Sequence, residues 1–266
     1  MLHRSSGTEP QQRAIIIGAS NVARGITSLI DCCHTTWGMP TSFHIAAGHG
    51  RSLGHGSRFL GRRLPPVLNC DLWSDLRTLP TQPTAALLTD LGGDLIFGAT
   101  PGQVLENAEA CLSQLQRFSQ RIVVTRIPLE PLSKLAPERY LRLRKKLFPS
   151  SRLELLAALE GVKEINEKLN AFEGTFGCYV VSPEVDWYGK DPVHVRRSHY
   201  ATAWHRYLSP WSDFCHPHAT KHNGSNMKNC LWYWRLRPKH VTWLGFNCGK
   251  AQPFRQSRVG SVFWSY

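Results

Sequence analysis

Apolar positions along the chain follow two alternating rhythms. Short runs that are apolar on both faces occur at Arg13–Gly18, Ser42–Ala47, Ala85–Asp90, Arg121–Ile127 and Gly177–Val181. Between them lie longer stretches in which apolar residues recur every three or four positions. The short runs read as strands of a parallel sheet covered on both sides, and the longer stretches as amphipathic helices. The predicted helices are Asn21–Cys33, Gly102–Phe118, Pro137–Leu147, Arg152–Glu173 and Arg196–Leu208. In the fourth of these, Leu153, Leu156, Leu159, Val162, Ile165 and Leu169 form one stripe, and Ser150 or Ser151 offers an N-cap. Strands alternating with helices predict an α/β domain built on a doubly wound parallel sheet.

The periodicity breaks down after Ser209-Pro210. From there the chain is rich in Trp, Cys, His and Arg, with strand-like pieces at Cys230–Trp234, Val241–Phe246 and Ser261–Tyr266. A main domain over 13–209 and a small β-rich extension over 210–266 are therefore expected, the latter packed on the domain or used in self-association. No Asp or Glu occurs from Phe214 onward, although Lys221, Lys228, Arg235, Arg237, Lys239, Lys250, Arg255 and Arg258 do.

The whole chain has 266 residues, 42% of them hydrophobic, which is enough for a well-buried core without a metal or disulfide staple. Met1 to Gln12 is polar and has no apolar export core, and no apolar run is long enough to cross a membrane. A cytoplasmic protein is expected, so the eight cysteines read as free thiols rather than a disulfide framework. The net charge of +13 attracts anions without specifying a fold.

Candidate chemistry starts at Ser20, which ends the apolar run Ala14-Ile15-Ile16-Ile17-Gly18-Ala19 just where a helix begins. Taken alone, it reads first as a helix N-cap. At a helix start a serine stands in positive potential, and its own N–H can face a developing oxyanion. Far downstream, Asp191-Pro192-Val193-His194 reads as a turn stiffened by Pro192. The same segment can also fold so that the carboxylate accepts from Nδ1–H, leaving Nε2 free for a hydroxyl. Two glycine-rich turns, Ala46-Ala47-Gly48-His49-Gly50 and Thr89-Asp90-Leu91-Gly92-Gly93-Asp94, follow the second and third strands. In a doubly wound sheet, the loops at the carboxyl ends of the strands converge on one edge, where ligands bind.

On these residues the chain resembles the SGNH/GDSL hydrolases. Gly18-Ala19-Ser20-Asn21 stands for the family's Gly-Asp-Ser block, and Gly48 for its second-block glycine. Leu91-Gly92-Gly93-Asp94 occupies the place of Gly-x-Asn-Asp, and Asp191 with His194 matches Asp-x-x-His. The resemblance covers about residues 13–208. It implies a flavodoxin-like three-layer α/β/α fold with a five-stranded parallel sheet. It also implies a serine esterase that needs no cofactor or metal, acting on an acyl ester of a sugar, a lipid or a thiol. By carry-over, Ser20 is the nucleophile, His194 the general base and Asp191 its orienting partner. The oxyanion hole falls to Ser20, Gly48 and Gly93, and substrate contacts to Asn21 and Asp94. The family's oxyanion asparagine is replaced by Gly93, which has no side chain to donate. Asn21 or a bound water is the expected substitute, failing which the enzyme is slow. The alternative is a non-catalytic binding protein on the same fold.

Other signals point elsewhere. Gly48-His49-Gly50-x-x-x-Gly54 has the wrong spacing for a dinucleotide turn, and no phosphate-binding loop is present. Cys215, His216, His218, His222 and Cys230 cluster loosely, but match no zinc spacing. Arg139–Lys146 reads as a helix with its cationic side in water, and Trp232-Tyr233-Trp234 as packing. A basic tail bound to nucleic acid remains a third, separable reading and is not the expected one.

Overall fold

A computed structural model describes residues 10–212 and 237–266. The strands are β1 (Gln12–Ile17), β2 (Thr41–Ala46), β3 (Ser57–Phe59), β4 (Arg62–Leu64), β5 (Thr84–Leu88), β6 (Arg121–Thr125), β7 (Tyr179–Val181), β8 (Thr242–Trp243), β9 (Phe246–Asn247), β10 (Arg255–Gln256) and β11 (Val262–Ser265). The helices are α1 (Ser20–Thr36), α2 (Leu72–Thr78), α3 (Gly92–Ile96), α4 (Pro101–Leu115), α5 (Leu129–Ser133), α6 (Pro137–Leu147), α7 (Leu155–Phe176) and α8 (Tyr200–Ser212).

The main sheet runs β10-β11-β2-β1-β5-β6-β7. Alternation along its strands assigns side chains to two faces. Ile15, Ile17, Ala86, Leu88, Ile122 and Val124 face α4 and α7, where Leu105, Leu112, Ile165 and Leu169 meet them. Ala14, Ile16, Ala85, Leu87 and Val123 face α1 and α8, against Ile26, Leu29, Trp204 and Leu208. Both faces are therefore dry, which explains the unbroken apolar runs in the sequence. Each fully buried Ile or Leu contributes about 1.5–3 kcal/mol by leaving water.

The five predicted parallel strands are all present, but the sheet has seven. The C-terminal segment supplies the other two, with β11 parallel to β2 and β10 antiparallel to β11. Phe263 stacks on Phe43 with ring centroids 5.1 Å apart, and the Tyr266 N–H donates to the Ile45 carbonyl at 3.0 Å. These contacts span the length of the chain, so periodicity carries no sign of them. The predicted strand Val241–Phe246 divides into β8 and β9 because Leu244 (φ 49°) and Gly245 (φ 91°) turn the chain between them. Together with β3 and β4 they form a separate four-stranded antiparallel sheet. The expected strand Cys230–Trp234 lies outside the described residues, as does Trp232-Tyr233-Trp234.

Two helix ends show their causes. Thr100 caps α4 through a reciprocal pair with Gln103, and Pro101 occupies the first turn. α7 stops at Gly177, whose φ of 58° suits glycine. Its start is Leu155, with Glu154 as N-cap, rather than a residue near Ser150 or Ser151; Ser151 instead accepts from the Leu153 N–H at 3.4 Å. α8 runs through Ser209-Pro210, so the expected join lies inside a helix. No helix among the described residues is long and apolar enough to cross a membrane.

Candidate active site

β1 delivers the chain to Gly18, where an added Cβ would lie 2.5 Å from Val22 Cγ2 and 2.8 Å from Thr89 Cγ2. Only a glycine lets β1 pass this closely over α1 and β5. Ala19 then leaves the strand, and Ser20 is the first residue of α1. As a first-turn amide, the Ser20 N–H has no helical acceptor. Ala19 cannot cap the helix through a side chain. Asp90, at the end of β5, takes that role. Its Oδ2 accepts from the N–H groups of Ala19 (2.8 Å) and Asn21 (3.0 Å), and its Oδ1 accepts from Asn21 Nδ2 at 2.7 Å. Asp90 holds φ at 64°, a region an aspartate tolerates better than most residues.

Asn21 links this turn to the distant loop that carries the imidazole. Its Nδ2 also donates to the Val193 carbonyl (3.1 Å), and its Oδ1 accepts from the Val195 N–H (3.0 Å). His194, between those two residues, places Nε2 3.0 Å from Ser20 Oγ and Nδ1 2.7 Å from Asp191 Oδ2. Asp191 Oδ1 accepts from the N–H groups of Val193 (2.9 Å) and His194 (3.3 Å). Burial pushes the Asp191 carboxyl up. The His194 hydrogen bond and charge and the two backbone donors outweigh this and hold it below the usual carboxylate range. An ionised carboxylate keeps the proton on Nδ1 and leaves Nε2 to accept from the hydroxyl.

The remaining sequence candidates fall differently. Asn21 was expected to substitute for the missing oxyanion donor or to touch substrate, but its amide hydrogens and its carbonyl are all engaged within the protein. Asp94, also expected at the substrate, is buried. Its oxygens accept from the Leu53 N–H at 3.2 and 3.3 Å, and so it holds the segment after Arg51. Burial raises its pKa, against hydrogen bonds from Ser52, Leu53 and Gly54. Gly93 is part of the cavity wall, and an added Cβ there would meet nothing nearer than the Arg51 carbonyl at 3.8 Å. Gly48 is not one of the residues of that wall, although Gly50 and Arg51, just after it, are. A Cβ on Gly48 would stand 2.7 Å from Leu64 Cδ1.

Two residues near the site escaped the sequence reading. Asp90 was quoted only as part of a turn; its signal was an acidic residue at a strand end, facing a helix that has no capping side chain. His49 stacks on Phe59 with centroids 5.1 Å apart. Burial lowers its pKa, and the charges of Arg24, His194 and Arg62 lower it further, which puts it within electrostatic reach of His194. Among the described residues no group of three or more His, Cys, Asp or Glu could hold a metal ion. The Cys215–Cys230 cluster lies outside them.

No family model and no curated protein matches the sequence. One solved structure of unstated identity aligns with 76% of this chain and 98% of its own, at 12% identity and a TM-score of 0.51. The psychrotrophic esterase EstA from Pseudoalteromonas sp. aligns over 77% of this chain and 100% of its own, at 12% identity and a TM-score of 0.49. A member of the lipolytic protein G-D-S-L family from Veillonella parvula aligns over 76% and 96%, at 12% identity and a TM-score of 0.46. At these identities the likeness concerns architecture. That architecture is a mostly parallel sheet between two helical layers, with a serine just past the carboxyl end of β1.

Proposed function

We propose that this chain hydrolyses an acyl ester through a covalent intermediate on Ser20. The observation that carries the reading is the unbroken hydrogen-bond chain Ser20 Oγ–His194–Asp191, with links of 3.0 and 2.7 Å. Ser20 Oγ attacks the acyl carbon while His194 Nε2 takes its proton, a role worth about 10²–10⁴ in rate. The tetrahedral intermediate collapses as Nε2–H protonates the departing alcohol, leaving an acyl-enzyme. Water then gives a proton to Nε2 and attacks the acyl carbon. The second intermediate expels Ser20 Oγ, which recovers its proton, and the acid leaves. Asp191 keeps the imidazole in the required tautomer and stabilises its charged form.

The Ser20 N–H, at the positive end of α1, is the first oxyanion donor, and the Gly48 N–H is the second by family resemblance. Gly93 supplies no third. Losing one such donor costs about 3–4 kcal/mol. A slow enzyme is therefore expected, and a small-molecule or glycan ester is the substrate class.

The test is labelling of the folded protein by a fluorophosphonate, together with hydrolysis of p-nitrophenyl esters. Labelling on Ser20 that disappears in Ser20→Ala is the expected outcome. Failure of native protein to label overturns the reading. It favours instead a non-catalytic binding protein, for which the bare Gly93 position is the specific argument.

A further inference from the structure

We infer that the tips of two β-hairpins form a surface that docks this protein on an anionic lipid bilayer. β3 and β4 are joined through Leu60-Gly61, and β8 and β9 through Leu244-Gly245. Both residues of each turn have positive φ, 47° and 78° in the first and 49° and 91° in the second. That is the backbone of a type I′ turn, for which Asn-Gly is a favoured pair. Sterics disfavour a leucine in left-handed backbone, and here it occurs twice. Burial does not compensate, since Leu60 is 82% exposed and Leu244 67%. Folding by itself gives no reason for leucine at either tip.

The two turns lie side by side. The Leu244 N–H donates to the Gly61 carbonyl at 3.0 Å, and Trp243 Nε1 donates to the Leu60 carbonyl at 3.2 Å. Register places Phe59, Arg62, Trp243 and Phe246 in one row across the four strands, next to the leucines. Phe97 continues the patch, because a Cβ on Gly50 would lie 3.7 Å from both Phe59 Cβ and Phe97 Cζ. Among the described residues nine large apolar side chains are exposed, and Phe59, Leu60, Phe97, Trp243, Leu244 and Phe246 are six of them. Such clustering marks an interaction surface, whereas scattered apolar residues would not. Gly50 and Phe97 also line the cavity beside Ser20, with Leu95 and Ile127, so the patch reaches its rim.

Charge decides the occupant. Neither 48–66 nor 237–266 contains an Asp or Glu. Arg58 and Arg63 are exposed and stand opposite each other in the β3–β4 ladder, a pairing that repels. Just before β8, Lys239 and His240 are paired with Asp71 and Asp75. Among the described residues no salt bridge does the same for Arg58, Arg62 or Arg63. A second copy set patch to patch would bring both sets of arginines together, which opposes self-association. An anionic bilayer matches each layer of the patch. The leucines reach the acyl boundary, the aromatic row lies at headgroup level, and the arginines extend to the phosphates. Leucines at turn tips, rather than along a groove, suit a fluid surface better than a helix or strand of a protein partner. The inference does not depend on hydrolysis at Ser20.

The experiment is co-sedimentation of the full chain with phosphatidylcholine vesicles, with and without about one third phosphatidylserine. Partition onto the anionic vesicles should be at least about tenfold stronger, and should fall as NaCl rises from about 0.1 to 0.5 M. Each arginine near such a surface contributes about fivefold, so Arg58→Gln with Arg63→Gln should weaken partition about thirtyfold. Each methylene that leaves water contributes about fourfold, so Leu60→Asn with Leu244→Asn should weaken it at least about tenfold. That second pair turns both tips into Asn-Gly, so its denaturant midpoint should equal or exceed that of the native chain. Lost binding with retained stability separates docking from damage to the fold. Ser20→Ala should bind as the native chain does, which separates docking from lipid held in the cavity. Absence of binding, equal binding to neutral and anionic vesicles, or binding indifferent to both pairs of substitutions overturns the inference. So does a native chain that stays off vesicles but forms dimers that Leu60→Asn with Leu244→Asn dissociates; the patch is then a contact between copies.

Discussion

Among the described residues, His44 and His194 each bridge a serine hydroxyl and a second oxygen, in very different surroundings. His44, on β2, meets Ser42 Oγ through Nε2 and the Tyr266 hydroxyl through Nδ1, both at 3.1 Å. It is fully buried; burial first, and the charge of Arg13 second, push its pKa well below the ordinary 6.5. His194 meets Ser20 and Asp191 instead, at the wall of a cavity. A serine–histidine contact is thus not in itself a nucleophile. The carboxylate that supports a charged imidazole and the opening that admits a substrate make the difference. His44, lacking both, ties β11 to the sheet.

The sharpest way to break the comparison is to remove each serine in turn. Ser20→Ala is expected to lower kcat for ester hydrolysis by on the order of 10⁶-fold, as deletion of an activated nucleophile does. Ser42→Ala should stay within about twofold, because Ser42 sits on a seam and not in the cavity. Equal losses in steady-state kinetics would erase the distinction drawn here.

The supporting oxygens come next. Asp191→Asn should cost about 10⁴ in kcat, since the neutral amide no longer imposes the working tautomer. Tyr266→Phe should leave kcat unchanged and lower stability by about 1 kcal/mol, read from denaturant midpoints.

A smaller effect concerns the oxyanion side of the Ser20 site. Gly93→Asn is sterically open and should raise kcat by about 10² if its amide reaches the oxyanion. No gain in turnover, with the fold intact by circular dichroism, counts against Gly93 as the weakened position.

The smallest effect is the share of the pH dependence of stability that comes from His44. Its folded pKa is depressed below 6.5, so the unfolded chain binds the proton first as pH falls. Stability is therefore fully present above about pH 6.5 and declines below it, by up to about 1.4 kcal/mol per unit. Denaturant midpoints at pH 7.5, 6.5 and 5.5 should show that decline, and His44→Gln should make it shallower.

How far the sequence could be read depended on the range of the interactions involved. The five parallel strands and α6 were legible from periodicity, because burial on both faces of a sheet writes unbroken apolar runs. Ser20 and His194 were legible because each sits in a short local motif. The internal partners of Asp94 and Asn21 were not legible, because Leu53 for one and Val193 and Val195 for the other lie 41 to 174 positions away. Asp90 was passed over for the same reason: its partners Asn21 and Ala19 are 69 and 71 residues upstream.

By itself, then, the order of residues determined the alternation of strands and helices, the two dry faces of the sheet and the identity of the three polar groups at Ser20, Asp191 and His194. These follow from local periodicity and local turn chemistry. The tertiary structure alone decided that β11 joins β2, that Asp90 caps α1, that Asn21 fixes the His194 loop, and that an apolar cavity opens beside the serine. Each of those rests on contacts between distant segments, whose pairing depends on the shape and free hydrogen-bonding groups left once the core has closed.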